Sequence, residues 1–178
     1  MRESAMLARI GVRLAIVLTL VATIGCDRVT KHVATSTLAD APERSYLGDT
    51  VRLAYVENTG GFLSLGATLP PIVRTGIFTV ATGLMLFGMV VIAIRSRWTG
   101  WRAVGVTLFV AGGLSNWIDR VLRGSVVDFL NVGIGSLRTG IFNVADVAVM
   151  LGIGVLIACE VRTHQDSSAT GMRNDPGL

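Results

Sequence analysis

The sequence predicts a membrane protein, mainly α, built as a bundle of four transmembrane helices. Three observations carry that expectation. The 178 residues are 51% hydrophobic and only 16% charged, well under the roughly 25% charge of an ordinary soluble domain. The mean hydropathy is +0.62. Four apolar segments, about 7–25, 72–94, 101–116 and 140–159, each approach the roughly 20 residues needed to cross a hydrocarbon core. Runs of this length without two-residue alternation read as helices, because a backbone in lipid must satisfy itself within a helix or a closed barrel. One membrane domain over 1–162 accounts for most of the chain, and the polar, Gly-, Ser- and Pro-containing tail 163–178 reads as disordered.

The first span follows Arg2, Arg9 and Arg13, and its end, Thr23-Ile24-Gly25-Cys26, loosely resembles a signal cleavage box. Three further spans, and charged Asp27 and Lys31 directly after it, argue that this helix is retained. Cys26 and Cys159 sit at the edges of apolar runs and form no CxxC motif, so neither a disulfide framework nor a redox pair is expected. Inside the spans lie Gly83, Gly88, Gly105, Gly152 and Gly154, and small residues let membrane helices pack closely. Arg95, Arg97 and Arg102 crowd the short link between spans two and three, which the excess of cations on cytoplasmic loops places inside. Both termini then lie inside, and segments 27–71 and 117–139 lie outside. Within the first of these, Val51, Leu53 and Tyr55 alternate with their neighbours before the turn residues Asn58-Thr59-Gly60-Gly61, predicting a short strand of a small surface sheet. The net charge of +4 comes from arginines scattered in ones and threes, without the basic stripe that nucleic-acid binding requires.

An ionisable side chain at membrane depth costs about 2.5 kcal/mol or more, so it marks function by default. Here such groups gather at the outer ends of spans. Asp27 and Lys31 are four apart; Asn116, Asp119 and Arg120 leave span three; Asn143 and Asp146 enter span four three apart, each set falling on one helical face. Plain structural readings exist: Asp27 with Lys31 as a helix-end ion pair, Asp119 with Arg120 as an interfacial anchor. Asp146 is harder to dismiss, since it falls one to two turns inside an apolar helix. Its expected partner is Asp128, held against the bilayer by Val126, Val127, Phe129 and Leu130. Two carboxylates brought together share one proton, the arrangement of aspartic proteolysis, and which acts as base is a property of the pair.

Other chemistries lack their residues. His32 and His164 are the only histidines, one in the outer segment and one in the tail, which leaves a Ser-His-Asp triad or a His-rich zinc site little to work with. No HExxH and no phosphate loop occurs, and Ser64 and Ser115 have no evident base. No metal or organic cofactor is expected. The rival class is a small proton-coupled transporter or channel subunit with Asp119, Asp128 and Asp146 as a relay. Such a relay spreads carboxylates across membrane depth, whereas here they collect on one side.

Five pieces in order, "DRVTK", "VENTGGFLSLG", "GGLSNWIDR", "GSVVDFLN" and "FNVADVAVMLG", resemble the lipoprotein signal peptidases, or signal peptidase II, over Asp27 to about Gly152. The resemblance implies a four-helix bundle with a small β-cradle and a short flap on the periplasmic side. It implies a multi-pass enzyme of the bacterial inner membrane with both termini cytoplasmic. Such an enzyme cleaves prolipoproteins just before a diacylglyceryl-modified cysteine, among membrane lipids and as a monomer. Asp128 and Asp146 match the catalytic positions. Asp27, Lys31, Asn58, Asn116, Asp119, Arg120 and Asn143 match the supporting ones, and Gly60 and Phe62 belong to the flap. A non-catalytic homologue is disfavoured because both aspartates are present. Three departures from the family pattern stand out: an alanine is usual near Gly61, a glycine is usual at Ser115, and the family's glycine-rich run before the asparagine is here Ala111-Gly112-Gly113-Leu114.

Overall fold

The first apolar run does not end as a helix where its hydrophobicity ends. In the computed structural model, which describes residues 2–96 and 100–173, helix α1 runs unbroken over Arg2–Leu38, 37 residues. At 1.5 Å per residue it spans about 55 Å, well beyond a hydrocarbon core of about 30 Å. The segment from residue 27 onward therefore begins as three further turns of helix, which corrects the expected boundary. Ile10, Leu14, Leu18 and Val21 are exposed at the spacing of one helical face, as a lipid-facing stripe requires. Farther along, Asp27, Lys31, Ala34 and Leu38 are buried at the same spacing, so the polar end of α1 turns a face into the protein.

That face packs on an antiparallel sheet of order β1-β2-β3-β4, comprising β1 (Arg44–Tyr46), β2 (Val51–Asn58), β3 (Val126–Ile134) and β4 (Leu137–Arg138). The strand expected at 51–56 is β2, extended to Asn58. Its partner β3 carries no alternation in sequence, because Val126, Val127, Asp128 and Phe129 are all buried. Val127 and Phe129 pack with Ala34 and Leu38 of α1. These side chains thus hold Asp128 buried within the protein. A register shift between Leu53 and Val56 sets Val56 opposite Asp128 and Asn58 opposite Val126, the local re-aiming that a bulge provides. At the far edge, Arg138 donates to the Asp49 carbonyl at 2.6 Å. Arg52 bonds the half-buried Asp49 carboxylate, which its hydrogen bond holds well below the usual carboxylate range.

The second apolar segment is one rod made of α2 (Pro71–Arg74), a π-helical stretch (Thr75–Ala81) and α3 (Thr82–Ser96). A π-helical stretch shifts backbone carbonyls out of their usual pairing. The Thr79 carbonyl accepts from the Trp117 indole at 2.8 Å. The indole lies so close over Gly83 that a Cβ there would come within 2.7 Å of it. Helices α4 (Gly100–Arg123) and α5 (Val144–Arg173) form the most extensive helix pair, and α4 also touches α1 and α3. The backbones of α4 and α5 meet at Gly105 and Gly152, where a Cβ on Gly152 would lie 2.6 Å from the Gly105 carbonyl. Gly88 and Gly154 have nothing within 4 Å, so of the five glycines singled out in sequence the close-packing reading holds for Gly83, Gly105 and Gly152.

Among the described residues three rods are long and apolar enough to cross a membrane: Ile10–Leu38, Pro71–Arg95 and Val144–Gln165, with mean hydropathies of 1.9, 2.5 and 2.2 over an 18-residue window of each. The expected third span is α4, which runs on to Arg123 and carries Asp119, Arg120 and Arg123 in its last turns. Helix α5 begins at Val144, four residues later than expected, and continues as helix through Arg173 where the sequence suggested disorder. Residues 174–178 and Arg97 lie outside the described residues.

Candidate active site

The site is set by the end of β3 and the start of α5. Beyond β3, Phe142 makes an isolated bridge with Leu130, donating at 2.8 Å and accepting at 2.9 Å. This pins the next residue, Asn143, beside Asp128. Asn143 is the N-cap of α5: its side-chain oxygen accepts from the Asp146 amide at 3.0 Å, while the Asp146 carboxylate accepts from the Asn143 amide at 3.1 Å. That reciprocal pair is a capping box written with Asn and Asp. Asp146 therefore sits in the first turn of α5, not one to two turns inside it. The helix N-terminus also favours its negative charge.

The same Asn143 side chain donates to Asp128 at 2.6 Å. One asparagine thus binds both carboxylates, holding Asp128 by its amide and Asp146 by its backbone. Asp128 takes a second bond from Asn58, 2.8 Å from its other oxygen; Asn58 is its diagonal neighbour on the same face of the sheet. Asp146 takes a second bond from Asn116 at 2.9 Å. Asp128 is buried and Asp146 half-buried. Burial pushes the Asp128 carboxyl above its ordinary value, opposed by the amides of Asn58 and Asn143.

Behind the aspartates lies a buried ionic network. The Lys31 ammonium has three protons and three acceptors: Asp27 at 2.7 Å, Asn116 at 2.7 Å and Asp119 at 2.8 Å. Asp27, fully buried, also accepts from the Ala145 amide at 2.9 Å and the Ser115 hydroxyl at 2.7 Å. It caps α5 from another helix. The expected Asp27–Lys31 pair thus exists, but as the hub joining α1, α4 and α5. Asp119 and Arg120 do not form the suggested anchor. Asp119 turns inward to Lys31 and to Arg28, the latter at 2.5 Å, and Arg120 reaches the Gly60 carbonyl at 2.5 Å.

Gly60 begins the loop that overhangs the site. The Asn58 side chain accepts from the Gly60 amide at 2.9 Å and donates to the Gly61 carbonyl at 2.8 Å. A Cβ on Gly60 would lie 2.4 Å from the Leu65 carbonyl, so only glycine fits. From there Phe62–Ser64 form a 3-10 turn with Phe62 exposed, and the Leu63 side chain rests over Gly140. The loop thus bridges from Arg120 on α4 to the residues preceding α5. Gly61 faces Phe78, whose ring would lie 2.7 Å from an added Cβ. Among the described residues no three His, Cys, Asp or Glu side chains form a metal-binding group.

A family model described as signal peptidase (SPase) II matches residues 19–162. The chain belongs to the signal peptidase II family. It is 34% identical over 143 residues to a lipoprotein signal peptidase of Leifsonia xyli, covering 76% of this chain and 62% of that protein. A Chlorobium phaeovibrioides lipoprotein signal peptidase is 33% identical over 87% of this chain and 95% of its own length. Among solved structures, a bacterial membrane enzyme determined by the in meso method at 2.3 Å superposes with a TM-score of 0.75 at 25% identity, over 85% of this chain and 90% of that one. Membership in signal peptidase II decides against the transporter reading.

Of the positions singled out in sequence, Asp27, Lys31, Asn58, Asn116, Asp119, Asn143, Asp128 and Asp146 join one hydrogen-bonded network. Arg120 and Gly60 adjoin it through the loop, and Phe62 stays exposed at the loop's tip. Arg28 was missed. Being adjacent to Asp27 it falls about 100° round the helix, yet its long side chain curls back to bond Asp119 and the Ser115 carbonyl. Its only signal in the sequence is a cation among other charges at the end of span one.

Proposed function

We propose that this signal peptidase II is an aspartic endopeptidase that cleaves prolipoproteins immediately before a diacylglyceryl-modified cysteine, with Asp128 and Asp146 activating water. The observation that carries this reading is the single asparagine, Asn143, bonded to both carboxylates at 2.6 and 3.1 Å. Two carboxylates held this way favour retention of one proton between them. The ionised member takes a proton from water as the water oxygen attacks the scissile carbonyl carbon. The protonated member supports the developing oxyanion. As the C–N bond breaks, a proton passes to the departing cysteine nitrogen. Base and acid are roles of the pair.

Asn58 and Asn116, each bonded to one aspartate, orient the carboxyl groups; Lys31 of the ionic network holds Asn116, and the Gly60–Gly61 backbone holds Asn58. The loop with Phe62 and Leu63 closes over the bound peptide and limits water. Its apolar tip suits a substrate whose acyl chains remain in lipid. In this reading α4 also crosses the membrane, as the third of four spans, the sheet and the dyad face the periplasm, and both termini are cytoplasmic in the bacterial inner membrane. In this reading the enzyme acts as a monomer.

The test is cleavage of a diacylglyceryl-modified substrate by purified Asp128→Asn and Asp146→Asn enzymes. Loss of acid–base catalysis is worth about 10²–10⁴-fold, so each variant should lose at least about that much kcat; wild-type turnover in either ends the proposal. The shared proton is lost as pH rises through the burial-raised value of Asp128. The wild-type kcat should therefore decline on the alkaline side of its optimum, and a profile flat there contradicts a dyad needing that proton.

A further inference from the structure

At the same end of the bundle, the start of the second rod meets the end of α4 around a cavity of about 380 Å³ walled by Thr59, Arg74, Thr75, Phe78, Thr79 and Arg120. Two guanidinium groups thus border one recess. Their hydrogen bonds go only to neutral oxygens. Arg74 donates to the Thr59 hydroxyl and, at 3.3 Å, to the Ala67 carbonyl. Arg120 donates to the carbonyls of Gly60 at 2.5 Å and Asn116 at 3.4 Å. Among the described residues neither takes part in an ion pair, and the buried Arg120 Nε has no hydrogen-bond partner. Arg120 lies in the field of Asp119, Asp128 and Asp146, so the uncompensated charge rests chiefly on Arg74.

Two like charges beside one partly enclosed space repel strongly where the dielectric is low, and an anion between them relieves that cost. Guanidinium groups match phosphate oxygens in pairs, and the hydroxyls of Thr59, Thr75 and Thr79 add donors to the same wall. The anion's source is indicated by what adjoins the recess. Ile72, Val73, Ile77 and Val80 on the same rod are exposed, Ile72 at 83%, a surface that suits acyl chains and offers nothing to a free ion. The diacylglyceryl group of the substrate carries no phosphate, so it cannot supply this charge.

We propose that the cavity binds the phosphodiester headgroup of an anionic membrane phospholipid, with Arg74 as its main contact and the lipid's acyl chains along the second rod. The assignment does not depend on the catalytic reading.

The experiment exchanges lipid on the purified full-length enzyme against equal amounts of phosphatidylglycerol and phosphatidylethanolamine and reads the retained lipid by native mass spectrometry. Wild type should retain phosphatidylglycerol over phosphatidylethanolamine by about tenfold, the ratio that 1.4 kcal/mol produces. Arg74→Gln should bring the ratio near one, and Arg74→Lys should keep part of the preference. Should Arg74→Gln not fold, Thr75→Glu, which sets a carboxylate against the same guanidinium, should abolish the preference instead. No preference in wild type, or one unchanged by these variants, overturns the proposal. Two further arms separate sources. If inorganic phosphate stabilises the delipidated enzyme through Arg74 while phosphatidylglycerol is not preferred, the ligand is a free anion and the lipid assignment falls. If Arg74→Gln leaves lipid retention alone but raises KM only for substrates acidic just after the cleaved bond, the cavity takes a peptide carboxylate and the proposal falls likewise.

Discussion

Ser115 illustrates how much one hydroxyl can be tied to in this protein. The family resemblance leads one to expect glycine there, and a bare glycine would leave Asp27 with Lys31 and the Ala145 amide as its partners. Here the fully buried Ser115 hydroxyl adds a third, 2.7 Å from the Asp27 oxygen that also meets Lys31. A hydrogen bond to a charged group contributes about 1.5–3 kcal/mol. Ser115→Ala should therefore lower the unfolding free energy by about that amount, and Ser115→Gly by about 1 kcal/mol more through helix propensity. Thermal melting in detergent measures both. An alanine variant as stable as wild type would show that Asp27 does not rely on the hydroxyl. Ionisable positions such as Asp27, Lys31 and Asp119 were legible in sequence because charge in apolar surroundings demands a partner. Which partner each takes was not, because Asp119 and Arg120 are adjacent in the chain yet point to different neighbours.

At the level of elements, the seam between α4 and α5 rests on three glycines that let the helix backbones touch, Gly105 and Gly112 on α4 and Gly152 on α5. Gly152→Ala would set a Cβ 2.6 Å from both the Gly105 carbonyl and the Phe109 amide, and overpacking of this kind costs about 1–3 kcal/mol. Gly154→Ala, two residues on with open space around it, should instead be neutral or stabilise by up to about 1 kcal/mol, the ordinary gain of alanine over glycine in a helix. Melting midpoints of the two variants in the same detergent check the pair; equal shifts would contradict the close approach. Sequence placed the helices because apolar runs are long, but misjudged their ends. Hydrophobicity stops at the lipid edge, while α1 continues for three turns because its polar residues find partners on α4 and α5. Strand β3 stayed hidden for the opposite reason: buried on both faces, it shows no period of two.

For the molecule as a whole, the proposed orientation puts the sheet outside and the link after α3 inside. Ser45 on exposed β1 and Arg95 at the end of α3 lie at these opposite poles. In a background lacking Cys26 and Cys159, Ser45→Cys should react with a membrane-impermeant maleimide in intact spheroplasts, and Arg95→Cys only after permeabilisation. The reverse pattern inverts the topology. The proposed polarity rests on the crowding of arginines in one link; the sheet's four-stranded pairing was not readable in sequence, since it joins segments some 70 residues apart, as Asn58 and Asp128 show.

One contact has a bearing on biogenesis. Asp27 bonds the amide of Ala145, 118 positions later, so a residue made early waits for one made late. Chains emerge from the ribosome amino end first, and a nascent chain halted before its final helix lacks the group that this carboxylate grips. The polar cluster can close only on a finished, fully inserted polypeptide, and a truncated translation product is left without it.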